Sequence, residues 1–356
     1  MLVKPEIKKF ARIKVVGVGG GGSNAIRNMM EVQNIQGVEF IAVNTDAQAL
    51  SICPAPTKVQ IGVKITGGLG SGGNPEIGRA AAEESADLLH EHLTDTDMVF
   101  ITAGMGGGTG TGAAPIVADI AKGEGALTVA VVTKPFAFEG NQRMRTAEEG
   151  IEELKEKVDA LITIPNERLL VDAPPTLSLL EAFQQADAVL GRSVQGISDI
   201  IVVPGLINRD FADVKSIMQD AGSALMGIGI GEGEERALKA AREAIESPLL
   251  EASIEGAKGV LLNITAGRDL KLAEVDTAAR LIAEAADPEA KIIFGAAIDE
   301  NMAGQMRVTI IATGFDERQQ RKKLTPSSPN KPSPTEKEER GDLLQELETP
   351  AFLRRR

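Results

Sequence analysis

The sequence predicts an α/β protein with three parts: a parallel-sheet domain with helices on both faces, a long connecting helix, and a smaller α/β domain with a mixed sheet. Three observations predict it. Short Val- and Ile-rich runs alternate with helical stretches over residues 12–165, the pattern of parallel strands joined by crossover helices. Glycine-rich loops follow the ends of these runs, where open α/β sheets bind their ligands. A helical stretch over 176–199 carries Leu177, Leu180, Phe183, Val189, Leu190, Val194 and Ile197 around most of its girth, so it belongs inside.

Element by element, 12–18, 39–44, 98–103, 127–133 and 160–164 read as strands. The stretches 24–33, 75–92, 113–122 and 139–158 between them have helical periodicity. In the second half, 210–224, 234–247 and 272–286 read as helices, and 226–231, 259–265, 292–298 and 306–312 as strands. The last two strands are consecutive, which predicts a hairpin. From Asp316 onward Pro326, Pro329, Pro332 and Pro334 stand among Ser, Lys, Arg and Glu, a linker composition that cannot build a core. Apolar residues return at Leu347, Phe352 and Leu353, as in a peptide that docks elsewhere. The expected organisation is an N-terminal extension over 1–11, a ligand-binding domain over 12–176, a connecting helix over 177–203, a second domain over 204–315, a flexible linker over 316–340 and a terminal peptide over 341–356.

Composition narrows the function. The chain has 356 residues, 43% of them hydrophobic, with a net charge of −13, which disfavours nucleic acid or an anionic membrane as the main partner. Aromatic residues make up 3%, with no Trp or Tyr, so the core is built from aliphatic side chains. The one cysteine, Cys53, excludes an internal disulfide and suits a reducing compartment. It reads as a buried or loop thiol, not a nucleophile. No run reaches the ~18 apolar residues of a membrane span, and the charged N-terminus lacks a signal core, so a cytoplasmic protein without direct membrane insertion is expected.

The chemistry concentrates in glycine loops. Gly104-Met105-Gly106-Gly107-Gly108-Thr109-Gly110-Thr111-Gly112 follows the apolar run at 98–101 and opens a helix. Bare N–H groups approach an anion where no Cβ intervenes, and the helix N-terminus supplies partial positive charge. The loop has no lysine and the chain has no GxxxxGK[ST], so this is a phosphate cradle of backbone type. Gly17-Val18-Gly19-Gly20-Gly21-Gly22-Ser23-Asn24 follows the first strand and contains GxGxxG, with Asp46 near the place of a ribose acid. By itself that fingerprint also fits a tight strand–helix turn. A third loop, Gly67-Gly68-Leu69-Gly70-Ser71-Gly72-Gly73, makes a triphosphate held from several sides the better reading. The Thr109 hydroxyl then serves the terminal phosphate or its Mg²⁺.

The stretches GVGGGGSNA, VNTDAQAL, GMGGGTGTGAAP, TKPFAFEG and NRDFADV closely resemble the tubulin/FtsZ family, in its FtsZ branch. The resemblance spans essentially residues 12–315, and the final ETPAFLRRR resembles that family's C-terminal peptide. It implies a Rossmann-type GTPase domain, a long central helix and a smaller activating domain. Gly20, Gly21, Gly22, Ser23 and Asn24 match the first nucleotide loop, and Gly70, Ser71, Gly72 and Gly73 the γ-phosphate sensor. Gly104, Gly106, Gly107, Gly108, Thr109 and Gly110 match the loop around the β- and γ-phosphates. Asn44, Asp46, Thr133, Pro135, Glu139 and Arg143 match further contacts to the nucleotide and its ribose. Asn166, Phe183 and Asp187 match the guanine pocket, with Phe183 stacking on the base. The chemistry of Asp187 supports guanine independently, because a carboxylate accepts both N1–H and N2–H₂, a donor pair adenine lacks. Three positions depart from the family: Ala188 replaces a polar residue, Ser23 a glycine, and Arg209 a small apolar residue, the last bearing on assembly.

Hydrolysis needs a water activator, and the nucleotide half offers none beyond Glu139. Asn208, Asp210 and Asp213 stand at the start of the second domain. Asp210 and Asp213 share one face of a first helical turn and suit polarising water. The same arrangement is also a helix cap; both roles are compatible. The resemblance implies that these residues meet the nucleotide of the next subunit in a head-to-tail filament, with GTP, GDP and Mg²⁺ as ligands. It further implies a cytokinetic ring at mid-cell in bacterial division, tethered to membrane-bound division proteins through the C-terminal peptide. His90 and His92 point to different helix faces and read as surface residues. The clusters at 321–323 and 354–356 are too small for membrane anchoring. Two rivals remain: a nicotinamide dehydrogenase built on the first glycine loop, and a non-hydrolysing filament regulator, which would lack working acids at 210 and 213.

Overall fold

The computed structural model describes residues 11–171, 173–174, 176–202, 210–250 and 253–315. The extension over 1–10, Asn208, Arg209, the linker and the terminal peptide, with its docking residues and basic clusters, lie outside the described residues. The strands are β1 (Ile13–Val18), β2 (Glu39–Asn44), β3 (Thr57–Gln60), β4 (Met98–Gly104), β5 (Leu127–Lys134), β6 (Ala160–Pro165), β7 (Gly222–Glu232), β8 (Gly259–Ala266), β9 (Lys291–Ile298) and β10 (Gln305–Thr313). The helices are α1 (Gly19–Glu31), α2 (Ala47–Ile52), α3 (Val63–Thr66), α4 (Pro75–Glu84), α5 (Ala86–Leu93), α6 (Thr109–Gly123), α7 (Asn141–Lys157), α8 (Leu179–Val202), α9 (Phe211–Met218), α10 (Arg236–Ile245) and α11 (Leu272–Ala285).

The strands form one sheet in the order β3-β2-β1-β4-β5-β6-β7-β10-β8-β9. The first six run parallel, so their C-terminal ends share one edge. β7 continues the sheet through a three-residue parallel pairing that starts at Ala160 opposite Gly222.

The expected hairpin of the last two strands is not formed. β9 pairs parallel with β8, and β10 inserts between β7 and β8, antiparallel to both. The pattern of β10 explains it. Met306, Val308 and Ile310 bury into one cluster while Ile311 buries into another, and a strand apolar on both faces demands a central place. β9, with Lys291 exposed and Ile292 half-buried, suits the sheet edge.

The helix expected over 75–92 is two helices meeting at Ser85, whose hydroxyl accepts the Gly62 N–H at 3.1 Å. The helix expected over 210–224 ends at Met218, and β7 begins four residues later. Strand β3 carries no alternating pattern long enough to announce it.

Both sheet faces are covered, as a parallel sheet requires. Ile13 and Val15 of β1 point to a cluster with Ile26 and Met29 of α1 and Val189, Val194 and Ile197 of α8. Val16 and Val18 point the other way, to α4 through α7. α10 and α11 cover the outer face of the second half.

From Val189 to Val202 helix α8 is covered on nearly all sides, with Arg192 alone exposed, as expected; its first turns are not, and Leu179 and Leu180 stand exposed. Its 24 residues span ~36 Å at 1.5 Å per residue. It starts near the turn at Asn166–Leu170 that follows β6. It ends where Val202 packs onto Gly37, just before β2. The helix therefore runs from one end of the sheet to the other.

Candidate functional site

The C-terminal ends of β1, β2, β4, β5 and β6 bring together most of the expected site residues. α1 starts at Gly19 and α6 at Thr109, so the glycines form first helical turns and do not merely precede them. The leading N–H groups of a helix have no intrahelical acceptor and carry the positive end of its dipole. Neither first turn contains an acidic residue that would oppose an anion.

The glycines divide into two kinds. A Cβ on Gly21 would lie 3.0 Å from the Gly104 nitrogen, one on Gly110 2.7 Å from the Gly104 oxygen, and one on Gly108 2.2 Å from Ser71 Oγ. A Cβ on Gly22 would meet the Thr102 oxygen at 2.5 Å, and one on Gly106, at φ +94°, the Arg143 oxygen at 2.7 Å. These let three loops pack backbone against backbone. Gly20, Gly107, Gly72 and Gly73 meet nothing within 4 Å; their bare backbones face open space, as does that of Gly70, which nears only Asp46.

Three buried hydroxyls join the loops. Thr109 Oγ1 lies 2.7 Å from Thr45 Oγ1 and 3.0 Å from Ser71 Oγ. Sequence reasoning selected Asn44 and Asp46 but passed over Thr45. A hydroxyl between two selected residues at a strand end was the available signal.

The other end of the site is aromatic and polar. Phe183 of α8 meets Phe136 edge-on at 5.5 Å and Phe138 at 6.5 Å, and the two loop rings stack at 5.0 Å. Phe138 and Phe183 keep an exposed face. Asn166 is buried, and its Oδ1 has no hydrogen-bond partner, an acceptor awaiting a donor. Burial pushes the Asp187 carboxyl up to about 7, with Arg27 pulling it back. Glu139 accepts the Phe136 N–H at 2.8 Å and pairs with Arg143 at 3.2 Å. Thr133 and Pro135 are buried beside them; Thr133 O accepts the Met105 N–H at 3.0 Å and so ties β5 to the glycine loop.

Some expected residues have other partners. The Ser23 hydroxyl is spent on the Gly19 carbonyl at 2.9 Å, while Asn24 is exposed. Asp46 caps α2 by accepting the Gln48 and Ala49 N–H groups, and Asn44 Oδ1 accepts the Asp46 N–H at 3.3 Å. Cys53 is buried and His90 pairs with Glu124 on the surface. Among the described residues no cluster of His, Cys, Asp or Glu suits a metal ion, and no helix is long and apolar enough to cross a membrane.

Asp210 and Asp213 do not join this site. Asp210 is the extended residue before α9, Asp213 lies in its first turn, and the Asp210 side chain accepts no N–H of that helix. α9 leads into Gly222, whose N–H bonds Asp159 O at the start of β6. The acids thus stand toward the N-terminal ends of the strands, opposite the glycine loops.

Comparison with known proteins agrees with this geometry. Residues 12–173 match the Tubulin/FtsZ family, GTPase domain, and residues 222–316 the FtsZ family, C-terminal domain. An FtsZ dimer from M. jannaschii is similar at 48% identity and a TM-score of 0.83, covering 86% of this chain and 89% of that one. A point mutant of M. jannaschii FtsZ is similar at 48% identity and a TM-score of 0.82, covering 86% and 92%. CetZ2 from Haloferax volcanii, in a GTPγS-bound protofilament, shares the fold at 20% identity and a TM-score of 0.73, covering 87% and 96%.

Proposed function

Because this chain belongs to the FtsZ branch of the tubulin/FtsZ family, and is therefore a GTPase, we propose that it hydrolyses GTP only where two copies meet head to tail. The observation that carries the proposal is the separation just described. The phosphate-type loops sit at one end of the sheet and Asp210 and Asp213 at the other, with α8 spanning the distance.

The residues fit the nucleotide as follows. The open backbones of Gly20, Gly107, Gly72 and Gly73 receive the phosphate oxygens, with Thr109 donating to the terminal one. Phe183 stacks on the base, Asn166 Oδ1 takes a donor from the nucleotide, and ionised Asp187 accepts N1–H and N2–H₂ of guanine. Glu139 and Arg143 serve the ribose side. The site holds hydroxyls, and no cluster of carboxylates among the described residues suits a cation; Mg²⁺ arrives with the triphosphate, whose own oxygens bind it.

In the assembled pair, Asp210 and Asp213 of one copy, with Asn208, orient and polarise the water that attacks the γ-phosphate of the other, yielding GDP and phosphate. The acids are present, which favours this reading over a non-hydrolysing regulator. The three interlocked loops exceed what a dehydrogenase needs.

A head-to-tail contact uses unlike surfaces, so it repeats without closing and builds a filament. That the M. jannaschii relative at 48% identity forms an FtsZ dimer supports self-assembly. The filament role extends to a cytokinetic ring at mid-cell, tethered to membrane-bound division proteins through residues 341–356. An archaeal relative at 48% identity leaves that ring unrestricted to bacteria. The domain roles follow: GTP binding in 12–176, activation in 204–315.

The test is to follow light scattering and phosphate release against protein concentration in GTP and Mg²⁺. The proposal expects both signals to begin at one shared critical concentration. Phosphate release proportional to protein from zero upward contradicts it.

A further inference from the structure

We propose that Thr45 is a positioning residue that commits the Thr109 hydroxyl to donate a hydrogen bond to the terminal phosphate, and so raises the preference for GTP over GDP. The inference rests on the reading above, that Thr109 meets the terminal phosphate.

Thr45 directly follows β2, Thr109 opens α6 and Ser71 lies in the third loop, with relative exposures of 0%, 8% and 6%. Their oxygens form a chain, Thr45 Oγ1 to Thr109 Oγ1 at 2.7 Å and Thr109 Oγ1 to Ser71 Oγ at 3.0 Å. Three hydroxyls carry three protons, and two hydrogen bonds consume two. The direction of each bond decides where the third proton points.

Thr45 settles the direction. Its hydroxyl is fully buried, and among the described residues Thr109 is the partner recorded for it. If Thr45 accepted from Thr109, its own proton would be buried without an acceptor, which is costly. Thr45 therefore donates and Thr109 accepts. The Thr109 proton must then turn away from β2, to Ser71 or to an anion placed between the loops.

Ser71 makes the exchange possible. A serine hydroxyl both donates and accepts. When a phosphate oxygen takes the Thr109 proton, Ser71 rotates and donates to the remaining lone pair of Thr109. No buried hydroxyl loses its bond. A phosphate accepts only, so a Thr109 free to accept from Ser71 while donating to Thr45 would present it with a lone pair. Thr45 excludes that arrangement.

The experiment compares the full chain with Thr45→Val, which keeps the shape and removes the donor, and with Thr45→Ser, which restores it. Thr45→Ala serves as a second variant should the valine pack poorly, and melting curves confirm folding. Each protein is titrated with a non-hydrolysable GTP analogue and with GDP in Mg²⁺, below the concentration of assembly. In Thr45→Val the Thr109 hydroxyl loses the bond that holds it in place and polarises its proton toward the phosphate, so the analogue is expected to weaken about fivefold relative to GDP, the worth of one neutral hydrogen bond, and Thr45→Ser should recover the wild-type ratio. An unchanged analogue-to-GDP ratio in Thr45→Val and Thr45→Ala, or an equal loss for both nucleotides, overturns the inference. Thr109→Val separates the two levels. If it too leaves the ratio unchanged, the placement of Thr109 at the terminal phosphate fails. If it shifts the ratio while the Thr45 variants do not, only the positioning role of Thr45 fails.

Discussion

The two ends of the sheet are built by opposite means. At the C-terminal ends of the strands the site is made of absent side chains: glycines that let three loops touch, and glycines that leave backbone N–H groups open. At the other end stand side chains, Asp210 just before a short helix and Asp213 in its first turn. The backbone end is held together within one copy, because its loops pack against one another. A side-chain site at the far end of a ~36 Å helix has nothing of its own chain to act on. On the proposed reading, that difference gives binding to the copy and chemistry to the contact.

Gly108→Ala attacks the backbone end hardest. Its Cβ would lie 2.2 Å from Ser71 Oγ and 2.8 Å from the Asn74 nitrogen, so the third loop must move, at about 1–3 kcal/mol. Nucleotide binding should be abolished in a titration, and the melting temperature should drop.

A smaller effect separates base reading from phosphate holding. The Asp187 carboxyl is raised to about 7 by burial, and guanine needs it ionised. GTP affinity should fall by up to about tenfold per pH unit below 7, and Asp187→Asn should flatten the profile. Ligand-free stability should move the opposite way. The folded value lies above the 3.8 of a free carboxyl, so this group's contribution is full below about pH 4 and is lost as pH rises toward 7. Calorimetric titrations and melting curves across that range check both signs.

The smallest effect is the sharpest contrast. Gly20→Ala places a Cβ where nothing lies within 4 Å, and alanine suits a helix better than glycine by about 0.5–1 kcal/mol. Melting should be unchanged or slightly higher while GTP binding weakens. If Gly20→Ala and Gly108→Ala melt alike, the division of glycines into packing and open kinds is wrong.

The same contrast governs what the sequence made legible. β1, β2, β4, β5 and β6 are Val- and Ile-rich runs buried on both faces, so their pattern is local and was readable. The glycine loops were readable for a similar reason, since glycine's effect is set by its own backbone. The position of β10 was not, because a strand's partners depend on burial on both faces and not on chain order. The break at Ser85 depends on a tertiary contact from Gly62. Thr45 escaped because its role is the position of its hydroxyl relative to Thr109, 64 residues away. The Phe136–Phe138–Phe183 cluster likewise joins a loop to a distant helix. Asp210 and Asp213 were legible as paired acids, and the fold adds that they face away from their own glycine loops.

Mixing two silent variants tests the central claim most directly. Asp213→Ala keeps an intact nucleotide site but lacks an acid. Gly20→Val keeps the acids but adds bulk to the open cradle, at a position where a Cβ meets nothing within 4 Å. Each alone should release little phosphate, and Asp213→Ala should still bind GTP. Together they should recover hydrolysis at a rate that rises with the concentration of both, because one copy holds the nucleotide that the other cleaves. A mixture as inactive as its parts, with both variants folded and Asp213→Ala loaded with GTP, would contradict the account.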